Sequence, residues 1–192
     1  MPAQVEDDKL EAAFRDLHGP RLHGFALLVA LGEVEVAERA AGEALAAGGQ
    51  QAAELSHPDR AAAWLRAHAV RGLHQSIGRG PATAAAVRRA AVQSIGVDDV
   101  VYEGLTALTV EGRAALIASA IEHFEAEDTQ TILGASPTAA RRIIARALAR
   151  YIEVVGAQPG DPSASGPASQ GLLARRIREV AARAMAPGWE PE

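Results

Sequence analysis

Residues 133–151 read LGASPTAARRIIARALARY, and this stretch decides the fold. Gly134 suits the end of one helix, because a residue without a Cβ accepts the left-handed conformation there, while Ser136 and Pro137 suit an N-cap and the first position of the next. Winding the segment after Pro137 at about 100° per residue puts Ala140, Ile144, Ala147, Leu148 and Tyr151 on one side. Arg142, Arg146 and Arg150 take the other, with Arg141 flanking. A helix-turn-helix needs this arrangement. The apolar side docks on the preceding shorter helix, and the basic side enters a major groove with arginines on phosphates or guanine edges. The same periodicity also fits a solvated surface helix in any arginine-rich protein.

Working outward, Ala-rich and β-poor segments carry apolar residues at three- and four-residue spacing, which predicts helix throughout and no strand. Leu10, Phe14 and Leu17 form one stripe closed by Gly19-Pro20; Leu22, Phe25, Ala26 and Val29 form the next, closed by Gly32. A third helix spans Val34 to Ala47 and stops at Gly48-Gly49, where two glycines make continuation costly. Ser56 and Asp59 form a capping-box-like pair with Pro58 in the first turn, ahead of a helix with Trp64, Leu65, Ala69, Leu73 and Ile77. Beyond Gly78-Arg79-Gly80-Pro81, residues 82–97 are small, basic and partly helical in pattern. Val101, Leu105 and Leu108 mark a further helix, Ala114, Ile117 and Ile121 another, and Glu125 to Leu133 the last before the turn.

The stretch Ala157 to Ser169, rich in Pro, Gly and Ser, is expected to be a flexible linker. Leu172, Leu173, Ile177, Val180 and Ala184 then stripe a terminal amphipathic helix beside four arginines; it packs on its own domain or docks on a partner. Trp189 stands beyond it, as an anchor or a loose end. The expected fold is therefore all-α: a helical domain over 1–80, a linker over 81–97, a helix-turn-helix domain over 98–155, a flexible linker over 156–169 and a C-terminal helical extension over 170–192.

Composition narrows the function. Among 192 residues there is no Cys, which removes disulfide scaffolds, zinc ribbons, iron-sulfur clusters and cysteine nucleophiles and fits a reducing compartment, with cytoplasm the expected location. The longest strongly apolar run, Phe25 to Leu31, is far below the ~20 residues of a membrane span, and Met1 to Glu11 is acidic where a signal peptide is basic and then apolar. A net charge of -5 conceals sorting along the chain. Residues 61–97 hold Arg66, Arg71, Arg79, Arg88 and Arg89 with no acid, and residues 138–155 hold four arginines against Glu153. Two basic blocks in an acidic protein can each meet a phosphate backbone; the plainer expectation is two solvated helix faces.

Catalysis finds no foothold. The only Lys is Lys9, so a phosphate loop lacks its essential cation. Gly78-Arg79-Gly80 lacks a third glycine and follows a helix rather than a strand, and no Gly-x-Ser-x-Gly occurs. The histidines (His18, His23, His57, His68, His74, His123) include no i, i+4 metal-binding pair. Glu122, Glu125, Glu127 and Asp128 read as a solvated acidic face. No enzyme activity, cofactor or metal is expected.

Leu133-Gly-Ala-Ser-Pro137 through Arg146-Ala-Leu-Ala-Arg150 resembles the helix-turn-helix of region four in the extracytoplasmic-function group of bacterial RNA polymerase sigma factors. Ala107-Leu108 followed by Arg113 is similar to that group's Ala-Leu-Pro-x-x-x-Arg, with Thr109 in place of Pro. The N-terminal half resembles sigma region two: Phe14 to Leu31 its first helices, Ala37-Glu38 and Glu43 its Ala-Glu-Asp-Leu-Val-Gln-Glu stretch, and His57-Pro58 with Trp64-Leu65 its Pro-x-x-Trp-Leu motif. Order and spacing agree over roughly residues 10 to 152.

This resemblance implies a sigma factor that binds core RNA polymerase and promoter DNA to direct transcription initiation, with an anti-sigma factor as a further partner. It implies polymerase binding by Glu38, Arg39 and Glu43 within 34–47, and places 60–80, with Arg66, Arg71 and Arg79, on the promoter -10 element. The helix from Pro137 would read the -35 element through Ser136, Thr138, Arg141, Arg142, Arg146 and Arg150. Several contact positions depart from the group's pattern: Arg39 for Asp, Gly42 for Gln, Arg71 for Asn, Ala139 for Thr, Ile143 for Arg, and Thr129-Gln130 for Ile-Ala. A second reading therefore stands beside the first, a sigma-like interaction module that binds an anti-sigma factor or other partner with little DNA binding.

Overall fold

The computed structural model describes residues 2–51, 55, 57–78 and 83–156, and all regular structure among them is helical. Eight α-helices follow one another: α1 (Pro2–Val29), α2 (Val34–Gln50), α3 (Pro58–Ser76), α4 (Ala85–Ser94), α5 (Asp99–Thr106), α6 (Val110–Leu116), α7 (Ala126–Leu133) and α8 (Pro137–Gly156). A π-helical turn, Ile117–Ile121, extends α6.

Gly19-Pro20 does not end a helix, contrary to the sequence expectation, because α1 runs through it. An interior proline costs about 3 kcal/mol. Leu22, Phe25, Ala26 and Val29, all fully buried in the following turns, offset that at about 1.5–3 kcal/mol per large side chain. Leu17, expected in the apolar stripe, is 63% exposed instead. The chain reverses at Leu31 (φ +55) and Gly32 (φ +78). α2 then passes Gly48-Gly49 and ends at Gln50. A Cβ on Gly48 would stand 2.8 Å from Leu65 Cδ2 and 2.9 Å from Phe14 Cε1, so this glycine lets α1, α2 and α3 approach closely. Ala37, Ala40, Ala41 and Ala44 bury the inner side of α2. Ser56 lies outside the described residues, and His57 precedes α3 with Pro58 at its start.

The segment expected as a linker carries α4, with Val92 and Val97 in the core. α5 and α6 start on side-chain caps: Asp98 accepts from Val101 N at 2.9 Å and Thr109 from Gly112 N at 3.1 Å. The buried residues form one continuous cluster reaching from Phe14 to Val155. Arg113 ties the halves together. Its Nε donates to Val29 O, at the C-terminus of α1, and its Nη1 to Leu108 O, each at 2.6 Å. Burial, with Arg88 nearby, pushes this guanidinium down to about 10, a cost tolerated because it meets the negative end of the α1 dipole. The expected extension over 170–192, and its linker, lie outside the described residues.

Candidate nucleic-acid interface

α7, the turn and α8 form as the local chemistry dictates. Gly134 adopts the left-handed conformation (φ +57), and Ala135 N donates back to Gln130 O at 3.1 Å, closing α7. Ser136 Oγ accepts from Ala139 N at 3.4 Å, a long cap at the start of α8. Thr129 on α7 is buried and satisfies its hydroxyl on Glu125 O at 3.1 Å. Ala140, Ala147 and Tyr151 are buried and hold α8 against α5, α6 and α7. Leu148, expected on that apolar side, is 40% exposed, since it lies at the edge of the stripe nearer the solvent.

The opposite side of α8 is basic and open. Arg141, Arg142 and Arg146 are exposed and make no ion pair among the described residues. Arg150 is exposed too and pairs with Glu153 at 2.8 Å, a solvated i, i+3 contact of about 0–1 kcal/mol that a phosphate can displace. Ser136 and Thr138 are exposed at the start of the same helix. Between α8 and the α5–α6 turn runs a groove of about 480 Å³. Arg142, Arg146 and Arg150 line one flank, Glu111 the other, and Leu108 and Ile143 contribute apolar surface.

The first basic block behaves differently. Arg66, expected at DNA, is buried: its side chain is 3% exposed, and Nε and Nη2 meet both oxygens of Glu122, itself 5% exposed. Glu122 is therefore no part of a solvated acidic face. Arg88 approaches Glu33 at 3.6 Å, and Arg89 bonds Asp99 at 2.8 Å as well as Glu103. Arg71 is exposed on α3, with Nη2 2.8 Å from His68 Nδ1. His68 in turn stacks on half-buried Trp64 at 4.5 Å, so Arg60, Trp64, His68 and Arg71 share one stripe. Arg79 lies outside the described residues. The helical wheel of α3 already separates the two arginines: five residues place Arg66 about 140° from Arg71. The wheel would have flagged it; charge sorting along the chain could not.

Glu38, Arg39 and Glu43 are exposed together on the outer side of α2. Three histidines are held below their ordinary value. Burial is the main cause for His18, His23 and His68, with Arg66 and Arg21 adding to it at His18 and Arg71 at His68. Among the described residues no three His, Asp or Glu side chains converge as metal ligands, and no helix is long and apolar enough to cross a membrane. No family model, curated protein or solved structure matches the chain.

Proposed function

We propose that the chain is a DNA-binding transcription-initiation factor of the sigma type, in which α8 docks on duplex DNA and the exposed charged side of α2 docks on core RNA polymerase. The observation that carries this reading is the row Arg141, Arg142 and Arg146, exposed and without carboxylate partners among the described residues, on a helix set by a Gly-x-Ser-Pro turn. Three exposed guanidiniums at this spacing suit successive phosphates or a guanine edge, the charge-assisted, bidentate contacts that arginine makes best. The chain has no chemistry of its own in this role; polymerase supplies it. Reconstituting purified core polymerase with the full chain on a promoter library tests it. Promoter-selective transcripts are expected; no complex with polymerase at micromolar concentration refutes it.

A second reading, a sigma-like interaction module that binds an anti-sigma factor or other partner with little DNA binding, is favoured by Arg66. An arginine closed against Glu122 offers nothing to phosphate. In that case core polymerase is ignored while a protein partner still forms a complex.

A further inference from the structure

The pair Arg66–Glu122 joins α3 to the turn ahead of α7, from opposite halves of the chain. Arg66 Nη1 also donates to Ala62 O at 3.0 Å, and the guanidinium lies between the rings of Phe25 (5.5 Å) and Phe124 (4.9 Å). As adhesive this is a poor choice, because an apolar pair of the same volume holds a seam as well or better. A buried ion pair does something else: removing one partner leaves the other charge buried and uncompensated, so the pair is held together or both groups must reach solvent or a new partner. The backbone beside it is strained. Ile117–Ile121 is π-helical and His123 has φ +56, conformations that cost energy and persist where the surroundings enforce them. Both flank Glu122.

We infer that the Arg66–Glu122 pair is a releasable latch: closed, it holds α3 against the turn before α7 and withholds Arg66 from nucleic acid, and a polyanion that rewards free Arg66 shifts the chain to the open form. The inference rests on the sigma-type reading proposed above, whose resemblance implies that α3 faces promoter DNA. A ligand shifts such a balance only through its differential affinity for the two forms, and Arg66 supplies that difference.

The chain has no cysteine, so Gln75→Cys and Glu127→Cys, both at exposed positions on α3 and α7, accept spin labels without background. Pulsed EPR on the full chain should give a single short distance. Glu122→Gln should add a longer population and raise affinity for a random-sequence DNA duplex about tenfold, as a larger competent fraction requires. The apolar pair Arg66→Met with Glu122→Leu should keep the short distance and gain no affinity. If Glu122→Gln fails to fold, Glu122→Asp, which keeps the charge on a shorter arm, carries the same test. Unchanged distances overturn the latch. A longer distance with no gain in affinity overturns instead the DNA reading of α3.

Discussion

Gly104 is where α5 touches α8, and replacing it with alanine tests the support of the basic helix. A Cβ at 104 would stand 2.7 Å from Tyr151 Cδ2 and 2.9 Å from Val155 Cγ2, about 1 Å inside ordinary carbon contact. Tyr151 is fully buried, so room for the new carbon comes from separating α5 and α8. Overpacking of this kind costs about 1–3 kcal/mol, and the upper end applies where two backbones must move. Alanine returns about 1 kcal/mol of helix propensity. The net loss is about 2 kcal/mol, or about 4–8 °C in Tm for a chain of this size. Thermal unfolding followed by circular dichroism reads it directly. Gly42→Ala on α2 is the control, since a Cβ there meets nothing within 4 Å and should stabilise by about 0.5–1 kcal/mol. If Gly104→Ala melts at or above the unmutated chain while the control behaves as expected, α5 and α8 are not in this contact and the position of the arginines loses its basis.

Gly32→Ala should cost at least about 2 kcal/mol, because φ +78 disfavours a side chain and the new Cβ would sit 2.8 Å from the Arg88 carbonyl carbon; the urea midpoint measures it. Lowering pH should destabilise the chain before the carboxylates titrate. His18, His23 and His68 have folded values below 6.5, so the unfolded chain binds protons first, and stability that is fully present above about pH 7.5 falls as pH drops through 6.5. Equal urea midpoints at pH 7.5 and 5.5 would contradict this. Glu38→Lys with Glu43→Lys on the exposed side of α2 should weaken capture by core polymerase at least about tenfold, without moving Tm by more than about 2 °C.

What was legible in the sequence was local. The Gly134-Ser136-Pro137 turn, the start of α3 at Pro58 and the basic side of α8 follow from backbone preference and a 3.6-residue period, which neighbouring residues alone determine. Pro20 misled because its penalty is local while its compensation, the burial of Leu22, Phe25 and Val29, depends on the whole bundle. The helical pattern of α4 is legible in residues 82–97, but its small residues read as a linker, whereas Val92 and Val97 are buried in the core. The exposure of the candidate arginines is half legible. The wheel puts Arg142 and Arg146 opposite the apolar side of α8, and both are exposed. Arg66 is misread, because its partner Glu122 lies 56 residues away in a stretch that reads as a solvated acidic face. Arg88 and Arg89 are paired too, with Glu33, Asp99 and Glu103, but at partly exposed sites. A basic block in sequence is lost as a basic patch where the fold buries its arginines against carboxylates, as it does Arg66.

The most direct measurement is the salt dependence of duplex DNA binding by the full chain and by the variant Arg142→Ala with Arg146→Ala. Each neutralised phosphate contributes about 0.9 to the slope of log affinity against log salt, so removing two contacts should flatten the slope by about 1.8 and weaken binding across sequences. Identical affinity and slope in the two proteins would contradict a DNA-binding role for α8.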